Sequence, residues 1–528
     1  MKKLQTIFNN LLKCKSPQEL IEGGEQSGLK KTLSAFDLII IGIGAVVGTG
    51  IFTIIGSAIV GSSDGAGAGS AIVISMILAA VASVFSALSY SEIAAMMPVA
   101  GSAYAYTYAT MGEFMAWMVG WILMLEYAIG NITVASAWTG YFVQLLKGFK
   151  HILPDFVVNF PLWLRNDYRS MYELCARYNW DVHDKMPFLQ LPFGWEIPIA
   201  ANLPAIAIVL ILTIILIKGV KESTKVATIM VGVNMFIILS FIVVGAFYVK
   251  PENWLPFAPN GVEGIFTGAF IIFFAYIGFD AISTAAEETK NPQRDVPIGI
   301  IGTLLVCTII YIMVALVLTG VVPWQMINVN APIAHAIQMT GQNWIAGLIS
   351  VGALTGLTSV LLVMQLAATR ILFSMARDNF FPSILKKVHP VYKTPHIITW
   401  IVGAAMIVGT LFLDLNLAAQ LCIFSVFTAF IVVCVSVLIL RKTDPDRKRP
   451  FRVPCSPLFP SLGILLCGGL MCVAIVKMGK FALLFPLWLL IGLSIYACYG
   501  YKRNRAMEKL EIVQVEPKQD EIKTNSEV

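Results

Sequence analysis

The chain has 528 residues, of which 57% are hydrophobic and only 13% are charged. A soluble domain carries about 25% charged residues, so this composition excludes a soluble fold of this length, and its apolar content excludes a disordered chain. A net charge of +6 in such a chain gives no indication of nucleic acid binding. We therefore expect an integral membrane protein in contact with the lipid bilayer.

The amino-terminal segment 1–35 is polar and basic, and it lacks the apolar core of a signal peptide. Nine cysteines follow along the chain, most of them inside apolar runs. Because no CxxC pair and no Cys/His cluster with zinc-ligand spacing occurs, the sequence predicts neither a disulfide framework nor a metal site. We expect no cofactor.

Twelve apolar runs are long enough to cross the hydrocarbon, which takes about 20 residues in a helix. The predicted spans cover residues 36–60, 70–97, 104–144, 198–218, 226–249, 262–286, 298–321, 343–374, 396–413, 416–440, 458–478 and 481–501. The third and eighth runs are long enough to tilt or to continue beyond the membrane. The fourth run, with Pro204 near its start, and the short ninth run give the weakest signals.

Lysine and arginine residues between the spans set the orientation. With the amino terminus inside, the cytoplasmic segments hold most of the clustered basic residues, including the run 441–452. The outer stretch 145–197 also carries basic residues, but acidic residues balance them. We predict that both termini are cytoplasmic, that the protein lies in the plasma (inner) membrane, and that 145–197 packs as an outer cap.

Two spans contain features that a continuous helix tolerates poorly. The first has Gly44, Gly48 and Gly50 near mid-span, and each glycine costs about 1 kcal/mol relative to alanine. The sixth has Gly278 and Asp280 at similar depth. A small-residue packing face is the alternative explanation for the glycines. Interrupted spans at corresponding positions of two halves indicate an inverted-repeat transporter with a midplane site, and we favour that interpretation.

The ends of broken helices are binding groups, because their backbone amides and carbonyls lack partners in the bilayer. Amides at Thr49, Gly50 and Ile51, at the positive end of a half-helix, suit a carboxylate. Carbonyls near Phe274 and Ala275, at the negative end of another, suit an ammonium group. The two together predict a receptor for a zwitterion such as an α-amino acid.

Ionisable residues inside the membrane are a further indication of function, since each costs at least about 2.5–3.5 kcal/mol at mid-depth. Glu126 lies well inside the third span and is predicted to contact a substrate side chain or to carry a proton; a structural carboxylate is the alternative. For Asp280 we expect a structural role as a helix cap. Glu92, Glu287 and Glu288 are interpreted as helix-end and gating residues.

At these residues the sequence resembles the amino acid–polyamine–organocation superfamily, and within it the cationic amino acid transporter branch in its twelve-span form. The resemblance covers about residues 28–500. The segments that carry it are 41–52, 98–104, Gly120-Trp121 with Leu125-Glu126-Tyr127, 273–280, 283–292, and 356–359 followed by Thr369-Arg370.

The resemblance implies an all-α membrane protein with a five-plus-five inverted repeat. The implied units are an amino-terminal segment 1–35, a first repeat 36–249, a second repeat 262–440, peripheral spans in 458–501 and a cytoplasmic tail 502–528. Substrate would bind to Gly48, Thr49, Gly50, Ile51, Glu126, Phe274, Ala275 and Ile277, with the Phe274 ring as a gate.

Thr358 and Ser359 match hydroxyls that ligate sodium in sodium-coupled relatives of the fold. Proton-coupled relatives often carry a fifth-span lysine where this chain has Asn234, and an amide exchanges no proton near neutral pH. Sodium coupling, exchange without a coupled ion and proton transfer through Glu126 all remain open, so the coupling ion, proton or sodium, stays undecided.

The sequence thus predicts a secondary active amino acid transporter, with an amino acid exchanger, a sodium-coupled symporter or a membrane amino acid sensor without transport as alternatives. It predicts no enzyme, because the five histidines form no HExxH motif. ATP-driven pumping is not expected either, since the chain contains no Walker A sequence.

Overall fold

The computed structural model describes residues 12–25, 31, 33–62, 65–148, 154–158, 161–191, 195–329, 331–392, 394–503 and 505. Most of the predicted tail 502–528 and much of segment 1–35 lie outside these residues. The described chain is mostly helical, and its four short strands are β1 (Gly61–Ser62), β2 (Gly65–Ala66), β3 (Phe188–Leu191) and β4 (Trp195–Pro198). This confirms the expectation of an all-α membrane protein.

The helices follow the predicted spans closely. They are α1 (Pro17–Glu25), α2 (Ala35–Val46), α3 (Ile55–Val60), α4 (Ile72–Met96), α5 (Ser102–Thr110), α6 (Glu113–Gly148), α7 (Asp155–Val158), α8 (Tyr168–Tyr178), α9 (Val182–Lys185), α10 (Leu203–Lys218), α11 (Val220–Ala246), α12 (Gly261–Ile272), α13 (Ala281–Thr284), α14 (Pro292–Val321), α15 (Pro332–Met339), α16 (Asn343–Arg377), α17 (His396–Phe412), α18 (Leu415–Thr443), α19 (Leu458–Met478) and α20 (Leu484–Ile495).

Within the described residues, eight helical stretches are long and apolar enough to cross a membrane, and a ninth results if the bent pair α2 and Gly50–Val60 counts as one span. One of the eight is the long stretch Leu458–Arg503, which contains both α19 and α20. The two weakest predicted spans correspond to α10 and α17, which are apolar but shorter than the others.

The third predicted run, 104–144, is divided in the structure. Its first residues belong to α5, which ends at Thr110, and a new helix begins at Glu113 after Gly112 with a φ of +90°. A side chain is excluded at Gly112, because a Cβ there would lie 2.6 Å from the backbone carbon of Leu12. The turn therefore depends on a contact with the amino-terminal segment.

Three long helices, α11, α14 and α16, pack around α2. Helix α16 contacts α6, α11 and α2, whereas α14 contacts α4 and α2. Helix α18 packs on α6, and α19 covers α18. Serine, glycine and alanine on α4 and α16 allow close approach of these helices, as is typical of membrane bundles. The first span thus lies at the centre of the molecule.

The stretch 145–197 contains the short helices α7 to α9 and the antiparallel strands β3 (Phe188–Leu191) and β4 (Trp195–Pro198). Its own small apolar cluster includes Met171, Cys175 and Met186. The Arg169 guanidinium lies 3.2 Å from the Asp414 carboxylate at the start of α18, and it stacks over the Phe481 ring. These contacts dock the segment on the bundle, as expected of a packed cap.

Candidate functional site

The first span is broken at the predicted glycines. Helix α2 ends at Val46, Val47 adopts an extended ψ of 90°, and the chain resumes as a π-helical turn over Gly50–Ile54. The two halves are inclined by 41°. The Ile51 and Phe52 amides donate to the Gly48 carbonyl at 3.1 and 3.0 Å, so Ile51 offers no free donor. Thr49 and Gly50, as the first residues of the new helix, have no intrahelical carbonyl to bind.

Side chains from distant helices satisfy the carbonyls that this break exposes. The Tyr311 hydroxyl donates to the Val46 carbonyl at 2.9 Å, and the Asn234 side-chain amide donates to the Val47 carbonyl at 3.1 Å. The Tyr141 hydroxyl donates to the Phe52 carbonyl at 2.5 Å. Sequence reasoning missed both tyrosines; their only signal was a hydroxyl inside an otherwise apolar span, which normally finds a hydrogen-bond partner.

The sixth span is broken as well. Helix α12 ends at Ile272, a 3₁₀ turn covers Phe273–Tyr276, and Ile277 is extended with a ψ of 141°. Gly278 follows with a φ of +111°, a conformation that L side chains rarely adopt. The Phe274 carbonyl accepts a bond from the Ile277 amide at 3.3 Å. Helical structure resumes at Ala281 in the short helix α13.

The two breaks touch each other. A Cβ at Gly50 would lie 2.3 Å from the Cα of Ala275, and a Cβ at Gly278 would lie 2.9 Å from the Ala45 carbonyl oxygen. Both glycines are therefore required for the approach of one backbone to the other. The Thr49 and Thr53 hydroxyls are buried beside this contact, and neither has a hydrogen-bond partner within the described residues. These two hydroxyls of the first break therefore lie beside the backbone of the second break.

Three polar side chains lie next to the breaks. Glu126 and Asp280 are fully buried and interact electrostatically with each other. Asp280 accepts a hydrogen bond from the Tyr127 hydroxyl through one carboxylate oxygen. Its other oxygen and both carboxylate oxygens of Glu126 have no hydrogen-bond partner among the described residues. Two buried carboxylates without a neighbouring cation require a proton or a bound cation to neutralise them.

The expected capping role of Asp280 is wrong. Asp280 occupies the N-cap position of α13, but its side chain makes no capping hydrogen bond. The physical reason is that its carboxylate turns toward the tyrosine hydroxyl of α6. This hydrogen bond joins the sixth span to the third.

The candidate ion-coupling residues come together beside the first break. A Cβ at Gly44 would lie 2.7 Å from the Ser359 hydroxyl, and one at Gly356 would lie 2.5 Å from the Asn234 amide nitrogen. The Thr358 hydroxyl donates to the Leu354 carbonyl at 2.6 Å and accepts from the Trp138 indole at 3.0 Å. The Ser359 hydroxyl has no partner among the described residues. Those residues contain no cluster of His, Cys, Asp or Glu that could hold a metal ion.

Ion pairs join the helix ends on the side where α2 begins. Glu288 pairs with Arg370 at 2.5 Å, and Glu287 lies 3.5 Å from Arg377 and accepts the Ala100 amide at 2.9 Å. Glu288 and Arg370 also line a narrow crevice between α2, α11, α13 and α16. The pair thus lies in the wall of this crevice.

Long apolar helices packed around two broken spans that contact each other are the architecture of a multi-pass membrane transporter. The chain belongs to the amino acid permease family, whose sequence model matches residues 33–496.

Comparisons with individual proteins agree with this class. The chain is 42% identical to the branched-chain amino acid permease BcaP of Bacillus subtilis over 94% of its length and 99% of that protein. It is 41% identical to the methylthioribose transporter of Bacillus subtilis, again over 94% and 99%. It is 32% identical to cationic amino acid transporter 4 of Mus musculus, over 84% of this chain and 64% of that protein. These relatives are permeases and transporters rather than enzymes.

Proposed function

We propose that the protein is a secondary active transporter that moves amino acids across the plasma membrane by alternating access. The amides of Thr49 and Gly50 bind the substrate carboxylate beside Gly48, and carbonyls of Phe274, Ala275 and Ile277 bind its amino group. The observation that supports this proposal is the backbone contact of the two breaks at Gly50 and Ala275. Amides of the first break and carbonyls of the second thereby lie close together, as a bound zwitterion requires.

For the substrate side chain we propose a neutral, branched amino acid. Residues of the two breaks, including Ile51, Phe52 and Ile277, are apolar and buried, which suits an aliphatic group. The relative with 42% identity is a branched-chain amino acid permease. The methylthioribose transporter is almost as similar, but a thiosugar has no carboxylate, so a requirement for a zwitterion separates these two substrates.

For coupling we propose a proton carried by Glu126 together with Asp280. Their unpaired buried oxygens form a place where a proton is held without a permanent cation. Sodium coupling through Thr358 and Ser359 has less support, because the Val47 carbonyl beside them already accepts the Asn234 amide, and the Thr358 hydroxyl already donates to Leu354 and accepts from the Trp138 indole. Asn234 itself anchors the break and exchanges no proton.

The proposed architecture has twelve spans in a five-plus-five inverted repeat, two peripheral spans and cytoplasmic termini. In this orientation the crevice that Glu288 and Arg370 line faces the cytoplasm. We propose that their ion pair keeps it shut. Opening the pair would release substrate inward, whereas the contact of the two breaks would have to separate for entry from outside. This is the alternation that a carrier needs.

Uptake into liposomes tests the function. Purified protein should accumulate labelled leucine when an inward proton gradient is imposed, and unlabelled isoleucine or valine should compete while methylthioribose should not. A sodium gradient alone should give no accumulation. Binding of leucine without accumulation would indicate a sensor, uptake only against internal leucine would indicate an exchanger, and competition by methylthioribose would contradict the zwitterion site.

A further inference from the structure

A groove on the outside of the bundle lies where α14 begins. The segment that connects α18 to α19 returns beside this helix end, and the groove between them has a volume of about 590 Å³. Gln293 and Arg294 line one end of the groove. Its remaining walls are apolar and consist of Pro297, Ile298, Ile301, Gly302, Pro450 and Phe451. The groove is therefore polar at the membrane surface and apolar toward the membrane interior.

The segment that forms one wall is held rigidly by a buried acid. Glu92 binds Arg441 at 2.6 and 3.0 Å, lies 3.4 Å from Arg449 and accepts the Val453 amide at 2.7 Å. Arg441 and Arg449 precede Phe451 and Val453 follows it, and all three contact this carboxylate. The groove wall is therefore preformed rather than a mobile loop.

Positive charge remains at the polar end after these pairs are formed. Arg294 and Arg452 are exposed, and neither makes an ion pair with another described residue. Arg294 lines the groove, and Arg452 follows the lining residue Phe451. Residues 441–452 hold six basic and two acidic side chains, so the end of the groove attracts anions.

An exposed apolar stripe extends the groove along α14. Ile298, Leu305 and Ile309 are 40%, 62% and 50% exposed, and their spacing of seven and four residues places them on one helix face. Gly302 and Ile301 lie between them on the same face. From Ile298 to Ile309 the helix rises about 16 Å, which is about half of the roughly 30 Å hydrocarbon thickness. The stripe matches the depth of one leaflet.

We propose that this groove binds an anionic phospholipid. The headgroup phosphate contacts Arg294 and Arg452, and one acyl chain lies over Ile298, Ile301 and Gly302 along α14. A soluble phosphate would leave the apolar walls empty, and a zwitterionic lipid would bring its own cation against the two arginines. On the proposed orientation the site faces the cytoplasmic leaflet.

Lipid binding to the purified full-length protein tests the proposal. Native mass spectrometry in detergent should show phosphatidylglycerol retained more strongly than phosphatidylcholine with the same acyl chains. The double variant Arg294→Gln/Arg452→Gln should lower phosphatidylglycerol affinity at least about tenfold. Ile298→Trp, which fills the groove without changing charge, should lower it as well. Lys387→Gln, an exposed basic residue elsewhere, is the matched control and should bind normally.

Each other outcome overturns the proposal. Equal retention of the two lipids would show that the arginines select no headgroup. Unchanged phosphatidylglycerol affinity in the double variant or in Ile298→Trp would place the lipid at another surface. Competition by glycerol 3-phosphate as effective as that by the lipid would identify a site for a soluble anion. Thermal unfolding of each variant verifies that it is folded before binding is measured.

Discussion

Single residues decide whether the two broken spans can meet. Gly50 and Gly278 each stand where a Cβ would enter the backbone of the partner span, and such overlap cannot be relieved by rotating a side chain. The central site therefore depends on the absence of two methyl groups. Some other glycines, such as Gly232, have open space where a Cβ would lie.

Gly50→Ala should abolish transport. The added Cβ would lie 2.3 and 2.4 Å from the Cα and Cβ of Ala275, so the breaks must move apart and the binding groups lose their relative position. We expect leucine uptake into liposomes to fall at least about tenfold, because a displacement of about 1 Å is costly in a preorganised site. Gly232→Ala, in open space on α11, should transport within about twofold of the natural protein. Normal uptake by Gly50→Ala would contradict the site.

Glu126→Gln should uncouple transport from the proton gradient. The amide keeps the volume of the carboxylate but holds no exchangeable proton, so leucine exchange should persist while proton-driven accumulation is lost. The check is uptake as a function of external pH between about 5 and 8, together with counterflow. Glu263→Gln is the control, since Glu263 is 81% exposed at its pair with Lys477. An unchanged pH profile in Glu126→Gln would assign the residue a structural role.

Buried ion pairs join helix ends to partners that sequence patterns do not reveal. Glu92, near the end of α4, joins Arg441 of α18 to Arg449 and Val453 of the following segment. The expectation that Glu92 is a helix-end residue is confirmed by its position. Its partners, about 350 residues away along the chain, follow from the tertiary structure.

Glu92→Gln should destabilise the protein without altering substrate selectivity. Arg449, which is 5% exposed, would remain as a buried cation, and loss of one member of a buried pair costs about 3–5 kcal/mol. A lower midpoint of thermal unfolding in detergent is the expected result. Glu263→Gln removes an exposed pair, which is worth about 1 kcal/mol or less, and should leave the midpoint nearly unchanged. Equal midpoints for both variants would show that Glu92 does not hold these elements.

Contacts between the first and sixth spans occur at two levels of the bundle, at the breaks and at the helix ends. The two breaks are in contact, and Glu288 and Arg370 form an ion pair in the wall of the crevice. Hydrogen bonds from Leu33 to Glu288 and from Lys290 to Leu33 join the start of the first span to the end of the sixth. We infer that these contacts hold the protein closed and that they break together when it opens inward.

Arg370→Met should therefore favour the inward-open state. Removing the guanidinium leaves Glu288 without its ion-pair partner and weakens the closure of the crevice. An Ala367→Cys reporter lies on the crevice wall, and we expect its labelling by a membrane-impermeant maleimide from the cytoplasmic side to accelerate about tenfold. The exposed native cysteines would first be replaced by serine, and Lys387→Met serves as the charge control. Equally fast labelling of Ala367→Cys with and without Arg370→Met would contradict a gating role for the ion pair.

Hydropathy and the placement of glycine were enough to predict the membrane class, the order of the apolar runs and the two places where helices break. Those properties are local: hydropathy is set by neighbouring residues, and Gly48, Gly50 and Gly278 disfavour helix wherever they are packed. The burial of Glu126 followed for the same reason, since it lies within a long apolar run.

Which groups complete the breaks depends on how distant helices pack together. Tyr141, Tyr311 and Asn234 come from three different helices to bind carbonyls of one span, and the carboxylate of Asp280 turns to Tyr127 instead of capping its own helix. No local pattern specifies such partners, because an unpaired buried carbonyl is satisfied by whichever donor the packing of distant helices brings within hydrogen-bond distance.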